Sequence, residues 1–302
     1  MLAAPPKPPM GFKGLVGLLI VLAIILGVGL MLIPVLQEYP MTGLLLVLIG
    51  LFVANYTALN LGKGSVGAFL TVGVAMISMV GQLSFALAVA LIAELLVSIA
   101  LAIVVLWVVY PFFPEDEGPA PEPPPPEPLT SSWLASRATL VVFPAYLLGL
   151  TNPSFYTPII MKSVALGQQA TDTAAKAAGR ELLGSTFLAG IFAVLFWFGL
   201  KMHPTLWMFF LWTLAFGVYC TAKFYGVLAS RYAPTFWLNV FVTMLILLGP
   251  AVADSANGKD VYMAFLVRFG LFIGVTIYAW MALTFLEWLR TRKQQRLAPG
   301  GA

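Results

Sequence analysis

Two charged residues, Glu94 and Arg268, stand alone inside long apolar stretches of the sequence. Glu94 lies about 10 residues, or roughly 15 Å, into a helical run, and Arg268 lies about 7 residues, or roughly 10 Å, into another. Isolated charges at such a depth in a membrane are costly, so we expect them to pair or to face water. One interpretation is a proton-coupled carboxylate next to an anion-binding arginine. The alternative is a static ion pair that fixes two parts of the chain together.

A second group of candidates combines aromatic rings with polar side chains. Asn55, Tyr56 and Asn60 belong to one apolar run, and Tyr219 and Lys223 belong to another. The tyrosine rings could stack on an aromatic ligand while the amides and the ammonium group hold its carboxylate. Polar residues of this kind also hold membrane helices together. The set is therefore a candidate substrate site, with a structural role as the alternative.

Two further basic residues follow or precede a proline. Lys162 follows Pro158 in a predicted helix and could meet a substrate carboxylate from the cytoplasmic side, although snorkelling to the lipid headgroups is the alternative. His203 precedes Pro204 in a predicted turn. A proton-shuttle role for His203 competes with a simple position at the start of an interfacial helix.

The composition places these residues in a membrane. Hydrophobic residues form 61% of the 302 residues and charged residues only 9%, whereas a soluble domain has about a quarter charged residues. The basic residues lie at the ends of apolar runs, so we expect no nucleic-acid partner and a lipid bilayer instead. One cysteine, no P-loop and no cluster of His, Asp or Glu lead us to expect no enzyme, no metal and no cofactor.

The apolar runs predict an all-α polytopic membrane protein with about ten spanning helices, because a span needs about 20 apolar residues. Prolines, glycines and short polar turns divide the runs. The predicted helices cover residues 14–34, 40–60, 64–81, 84–111, 133–150, 153–166, 182–200, 204–222, 234–253 and 261–289.

An acidic, proline-rich segment, residues 114–132, divides the chain and cannot bury a core. We therefore predict a first transmembrane repeat of four helices over residues 1–113 and a second of six over 133–290. A basic tail follows at 291–302. With both termini in the cytoplasm, all Lys and Arg residues except Lys201, Lys259 and Arg268 fall inside or at the inner face. The positive-inside rule favours this orientation.

The two sides of the linker share a layout, which indicates an internal repeat. Tyr39-Pro40 precedes one helix and His203-Pro204 precedes its counterpart. Matched helices run in the same direction, so the repeats are parallel. The first repeat lacks the helix pair with which the second one begins. We expect that the reading frame starts further upstream.

The second half carries a family resemblance. Residues 152–158 read Asn-Pro-Ser-Phe-Tyr-Thr-Pro at the start of a predicted helix, and residues 179–190 read Gly-Arg-Glu-Leu-Leu-Gly-Ser-Thr-Phe-Leu-Ala-Gly. This pattern resembles the fusaric-acid-resistance superfamily, which includes the aromatic-acid exporter inner-membrane subunits. The short linker is similar to a compact branch of uncharacterised relatives.

The resemblance implies a bacterial inner-membrane efflux transporter of small organic acids, with aromatic carboxylic acids as the expected substrates. It also implies proton antiport and a periplasmic membrane-fusion protein as partner. The expected ligands are therefore a small organic anion and protons. A passive anion channel and a non-transporting membrane scaffold remain as alternatives. Proton dependence of the flux separates the exporter from the channel.

Overall fold

The computed structural model describes residues 10–61, 63–112, 131–153, 156, 160, 163, 175–256 and 261–297. The regular structure of these residues is helical. We number the helices α1 to α9 in chain order. They are α1 (Phe12–Glu38), α2 (Pro40–Asn60), α3 (Gly64–Val80), α4 (Phe85–Val109), α5 (Ser131–Thr151), α6 (Ala175–Met202), α7 (Leu206–Phe224), α8 (Pro234–Ala256) and α9 (Val261–Leu297).

Seven described helices contain a stretch that is long and apolar enough to cross a bilayer, which is consistent with a multi-pass membrane protein. These stretches are Phe12–Glu38, Pro40–Ala58, Phe85–Val109, Ser132–Thr151, Glu181–Met202, Leu206–Phe224 and Phe265–Leu286. The apolar stretches of α3 and α8, Gly64–Val80 and Pro234–Gly249, are shorter. The predicted helix at 153–166 falls largely outside the described residues. The all-helical class is confirmed, while the count of ten stays a prediction.

The chain divides into two compact units, Met1–Thr157 and Pro158–Ala302. The first unit contains α1 to α5, and the second contains α6 to α9. Helix α5 follows the proline-rich segment in sequence but packs on α2 of the first unit. This contact boundary differs from the sequence boundary at 114–132, and the arrangement in two repeats stays a prediction.

In the first unit, α1 packs against α2, α3 and α4. Leu26 and Ile33 of α1 form a buried cluster with Ile77 of α3 and with Ala88 and Ile92 of α4. A second buried cluster joins Leu15 and Leu22 of α1 to Ile99 and Ile103 of α4. Because both clusters join α1 to α4, these two helices share a long interface.

Glycines bring α1 and α3 into backbone contact. A β-carbon on Gly29 would overlap the carbonyl oxygen of Gly73, and one on Gly73 would lie 2.9 Å from the carbonyl oxygen of Ile25. Residues Val72–Ile77 of α3 form a π-helical segment at this crossing. Small residues permit such close approach between membrane helices.

Gly270 and Gly274 of α9 have the GxxxG spacing that is typical of close helix packing in membranes, but no described helix packs closely on them. A β-carbon built on either glycine meets no atom within 4 Å, and the same holds for Gly27. At these three positions there is open space where a β-carbon would stand. Sequence spacing marks a possible packing face, but only a neighbouring helix makes it a contact.

In the second unit, α6 packs against α7, α8 and α9. Phe196 of α6 is fully buried, with its ring centroid 5.2 Å from Phe209 and 6.1 Å from Phe216, both on α7. Gly190 of α6 abuts the ring of Phe269 on α9. The outer face of α7 is apolar and open, with Leu206 85% and Trp207 76% exposed. That surface suits lipid contact.

Candidate functional site

A cation–aromatic cluster lies at the α7–α8 turn. We define it as Tyr219, Lys223 and Trp237. The Lys223 ammonium nitrogen lies 5.9 Å from the ring centroid of Tyr219 and 5.8 Å from that of Trp237. The two rings meet edge to face, 5.6 Å apart. Both cation–ring distances fall within the range of cation–π attraction.

Local sequence explains how this cluster forms. Tyr219 and Lys223 are four residues apart on α7, so their side chains lie on one helix face. The turn that follows contains Gly226 at a φ of +76°, a conformation that suits glycine. It returns the chain to α8, where the Trp237 indole N–H donates to the Ser230 hydroxyl at 2.7 Å.

The hydrogen bonds of Lys223 leave room for a ligand. Its ammonium group donates to the carbonyl oxygen of Ala229 at 2.6 Å, and an ammonium carries three donors. Tyr219 is 41% exposed and its ring also contacts Phe192 at 6.1 Å. Trp237 is buried, with 6% exposed, so Tyr219 offers the open ring of the cluster. A positive charge beside an open aromatic ring can hold a carboxylate and stack an aromatic ring.

The three predicted residues of α2 take separate positions. Asn55 is buried, and its amide donates to the Thr139 hydroxyl of α5 at 3.1 Å. Tyr56 is exposed and stacks on Phe52 with ring centroids 6.0 Å apart. Asn60 ends α2, and its side chain lies outside the description. Asn55 therefore joins α2 to α5, while the substrate role of the three residues stays a prediction.

Glu94 and Arg268 lie in different compact units. Glu94 is exposed on α4, with neither a hydrogen bond nor an ion pair in the described part of the chain. Arg268 is half-buried on α9. Their predicted pairing and proton coupling stay predictions. Lys162 lies outside the described residues.

His203 lies in the turn between α6 and α7. It is exposed, and its backbone N–H bonds to the carbonyl of Leu200 at 3.2 Å. The cap of α7 comes from Thr205, whose hydroxyl accepts the N–H of Met208 at 3.2 Å. The role of His203 stays a prediction.

A group of buried, hydrogen-bonded polar residues in the second unit was not predicted from the sequence. The Asn239 amide of α8 donates to the Ser185 hydroxyl of α6, and the Thr243 hydroxyl donates to the Asn239 carbonyl oxygen at 3.4 Å. Thr186 of α6 and Thr276 of α9 lie 3.5 Å apart through their hydroxyl oxygens. The spacing of Asn239 and Thr243, one turn apart in an apolar run, was the available signal.

The first unit holds buried polar groups that the sequence also left unassigned. The hydroxyls of Ser78 on α3 and Tyr146 on α5 lie 3.1 Å apart, and both residues are fully buried. Ser78 directly follows the π-helical segment and also donates to the carbonyl of Val74. Arg137 of α5, which the sequence assigned only to the inner face, is buried with 4% exposed.

The described residues contain no group of three or more His, Cys, Asp or Glu side chains that could hold a metal ion.

In a comparison with protein families, residues 1–109 match a family described as "Protein of unknown function (DUF2955)". That match covers the described helices α1 to α4 and ends before α5. Comparisons with curated proteins and with solved structures give no match.

Proposed function

We propose that this chain is an efflux transporter of small organic acids in the bacterial inner membrane, with aromatic carboxylic acids as its main substrates. The observation that carries the proposal is the position of the Lys223 ammonium group beside the Tyr219 and Trp237 rings. A carboxylate would pair with the ammonium group while the substrate ring contacts the exposed phenol of Tyr219.

The orientation of the chain supports the direction of transport. Lys223 and Arg231 flank the α7–α8 turn, and the positive-inside rule assigns that turn to the cytoplasm. A site at this turn would receive its substrate from the cytoplasmic side. Both termini are cytoplasmic in the same assignment.

The energy source in this proposal is proton influx, with Glu94 as the coupling carboxylate. Glu94 lies about 10 residues into an apolar helix, and a membrane carboxylate of that kind is a typical proton carrier. Arg268 would provide a positive charge for the exported anion. A periplasmic membrane-fusion protein would carry the product across the cell envelope.

The packing of the two units supports the parallel repeat within this proposal. In the first unit α1 contacts α2, α3 and α4, and in the second α6 contacts α7, α8 and α9. The second and third helices of each group also pack on each other, as do the third and fourth.

The experiment is exchange of labelled benzoate in liposomes that contain the purified full-length protein. We expect exchange faster than in protein-free liposomes, and slower exchange with the Lys223→Gln variant. Exchange at the protein-free rate would contradict the proposal. A benzoate flux that does not depend on protons would favour the anion channel.

A further inference from the structure

Two hydrogen-bond donors lie one turn apart near the beginning of α5 in the first unit. Arg137 is 4% exposed, which makes its guanidinium group a buried charge. The indole nitrogen of Trp133 is also buried and has no hydrogen-bond acceptor among the described residues. Residues four apart on a helix share a face, with β-carbons about 5–6 Å apart.

The Trp133 indole lacks an acceptor among the described residues, and the Arg137 guanidinium group can bind an anion in addition to its present partner. An indole N–H is a donor only, and a guanidinium group carries five N–H donors and no acceptor. Leaving a buried donor unsatisfied costs free energy, and a buried charge inside a membrane protein marks a functional site by default. Because a guanidinium has five donors, Arg137 can keep its existing interaction and still receive an anion. A carboxylate, with two acceptor oxygens, complements this donor pair.

Two other tryptophans show what distinguishes Trp133. The indole nitrogens of Trp212 and Trp280 are likewise buried without an acceptor in the described structure. However, neither has a basic residue three or four positions away on its helix. Trp212 instead packs against the backbone of α6, where a β-carbon on Gly199 would lie 2.6 Å from its nitrogen. The combination of an unsatisfied indole and a buried arginine occurs at Trp133.

We propose that Trp133 and Arg137 form a binding site for a small organic carboxylate in the first unit. One carboxylate oxygen accepts from the indole N–H and the other from the guanidinium group. The pair lies within the first two turns of α5, where the helix dipole favours an anion. The identification of this anion with the exported substrate rests on the proposed function, but its binding does not.

The test measures binding of benzoate to the purified full-length protein in detergent by calorimetry, with benzamide as the uncharged ligand of the same shape. The Lys223→Gln background isolates this site from the cation–aromatic cluster. There we expect benzoate to bind and to raise the Tm, and benzamide to bind at least about tenfold more weakly. Trp133→Phe keeps an aromatic side chain but removes the indole N–H donor. A hydrogen bond to a charged group predicts about tenfold weaker benzoate binding for this variant.

The thermal stability without ligand separates a binding role from a structural one. Trp133→Phe removes an unsatisfied buried donor together with part of the indole, so the Tm of the ligand-free protein should fall no further than in Trp212→Phe, which loses the same atoms. The matched control Trp212→Phe should behave alike in the ligand-free protein but keep the benzoate Kd of its background. Arg137→Lys, which loses the planar fork but keeps the charge, should also weaken binding.

Three results would overturn the inference: no benzoate binding in the Lys223→Gln background, an unchanged Kd in Trp133→Phe, or a ligand-free Tm that is lower in Trp133→Phe than in Trp212→Phe. The last would mean that the indole N–H serves the fold. Failure of the proposed function is a different result, because benzoate would then bind at this site while liposomes show no transport.

Discussion

The ammonium nitrogen of Lys223 on α7 lies 5.8 Å from the ring centroid of Trp237 on α8, across the turn that joins the two helices. Tyr219 completes the cluster from one turn earlier on α7. A lysine held between two rings in this way keeps its charge close to apolar surface that an aromatic ligand can cover. The arrangement gives the proposed transporter a site where ring and carboxylate are recognised together.

Removing the charge of this cluster should weaken recognition of the substrate. We expect Lys223→Gln to raise the KM for an aromatic carboxylate about tenfold, because a hydrogen bond to a charged group contributes about 1.5–3 kcal/mol. Transport by the purified variant in liposomes measures this change. Lys63→Gln is the matched control, since Lys63 is an exposed lysine assigned to the same membrane face. An equal rise in KM for both variants would show a general effect of surface charge instead.

The bond between Asn55 and Thr139 should couple α2 to α5 energetically. A double-mutant cycle with Asn55→Ala and Thr139→Val should give a coupling free energy of about 0.6–2 kcal/mol, the range for hydrogen bonds between membrane helices. Unfolding in mixed micelles provides the measurement. Thr57→Val is the control, because the Thr57 hydroxyl bonds only within its own helix, to the carbonyl of Val53. Additive effects of Asn55→Ala and Thr139→Val would contradict the prediction.

The contact between α1 and α3 should not tolerate a methyl group at Gly29. A β-carbon there overlaps the Gly73 carbonyl oxygen, so Gly29→Ala should destabilise the protein by about 1–3 kcal/mol, as overpacking does. Gly27→Ala is the control on the same helix, with nothing within 4 Å of the added carbon. The measurement is the free energy of unfolding of the two variants. Similar stability of the two would mean that α1 and α3 are not in backbone contact.

Neutralising Glu94 should stop proton-driven transport without reducing the amount of protein in the membrane. Glu94→Gln keeps the size and hydrogen-bonding capacity of the side chain but removes its titratable charge. A static ion pair with Arg268 predicts the opposite, because a stranded buried charge costs about 3–5 kcal/mol and should lower abundance. The double variant Glu94→Gln/Arg268→Gln separates the two. Full transport by the double variant would end the coupling hypothesis.

Helix positions could be predicted from the sequence, because uncharged runs bounded by proline and glycine have few alternatives in a membrane. Helix α2 was predicted at 40–60 and runs from Pro40 to Asn60. The predicted ends were wrong where a helix continues beyond its apolar part. Helix α6 begins at Ala175 and α9 ends at Leu297, because alanine, lysine, arginine and glutamine are good helix formers in water.

Only part of the candidate site could be predicted. The four-residue spacing of Tyr219 and Lys223 places both on one face of α7, but the approach of Trp237 depends on how α8 packs. For the same reason, the sequence does not reveal the hydrogen bond between Asn239 and Ser185, since these residues are 54 positions apart. Sequence spacing gives the face of a helix, whereas the partner of that face follows from tertiary packing.

The most direct test of proton-driven export is the movement of a labelled aromatic carboxylate out of liposomes when the outside is made acidic. Diffusion of the neutral acid concentrates it in the more alkaline lumen, so passive leakage and export have opposite directions. The proposed function predicts that protein molecules oriented with their cytoplasmic face inward drive net loss of the label. It also predicts that a proton ionophore abolishes this loss. Loss that is unaffected by the ionophore and follows only the membrane potential, or no loss above protein-free liposomes, would contradict it.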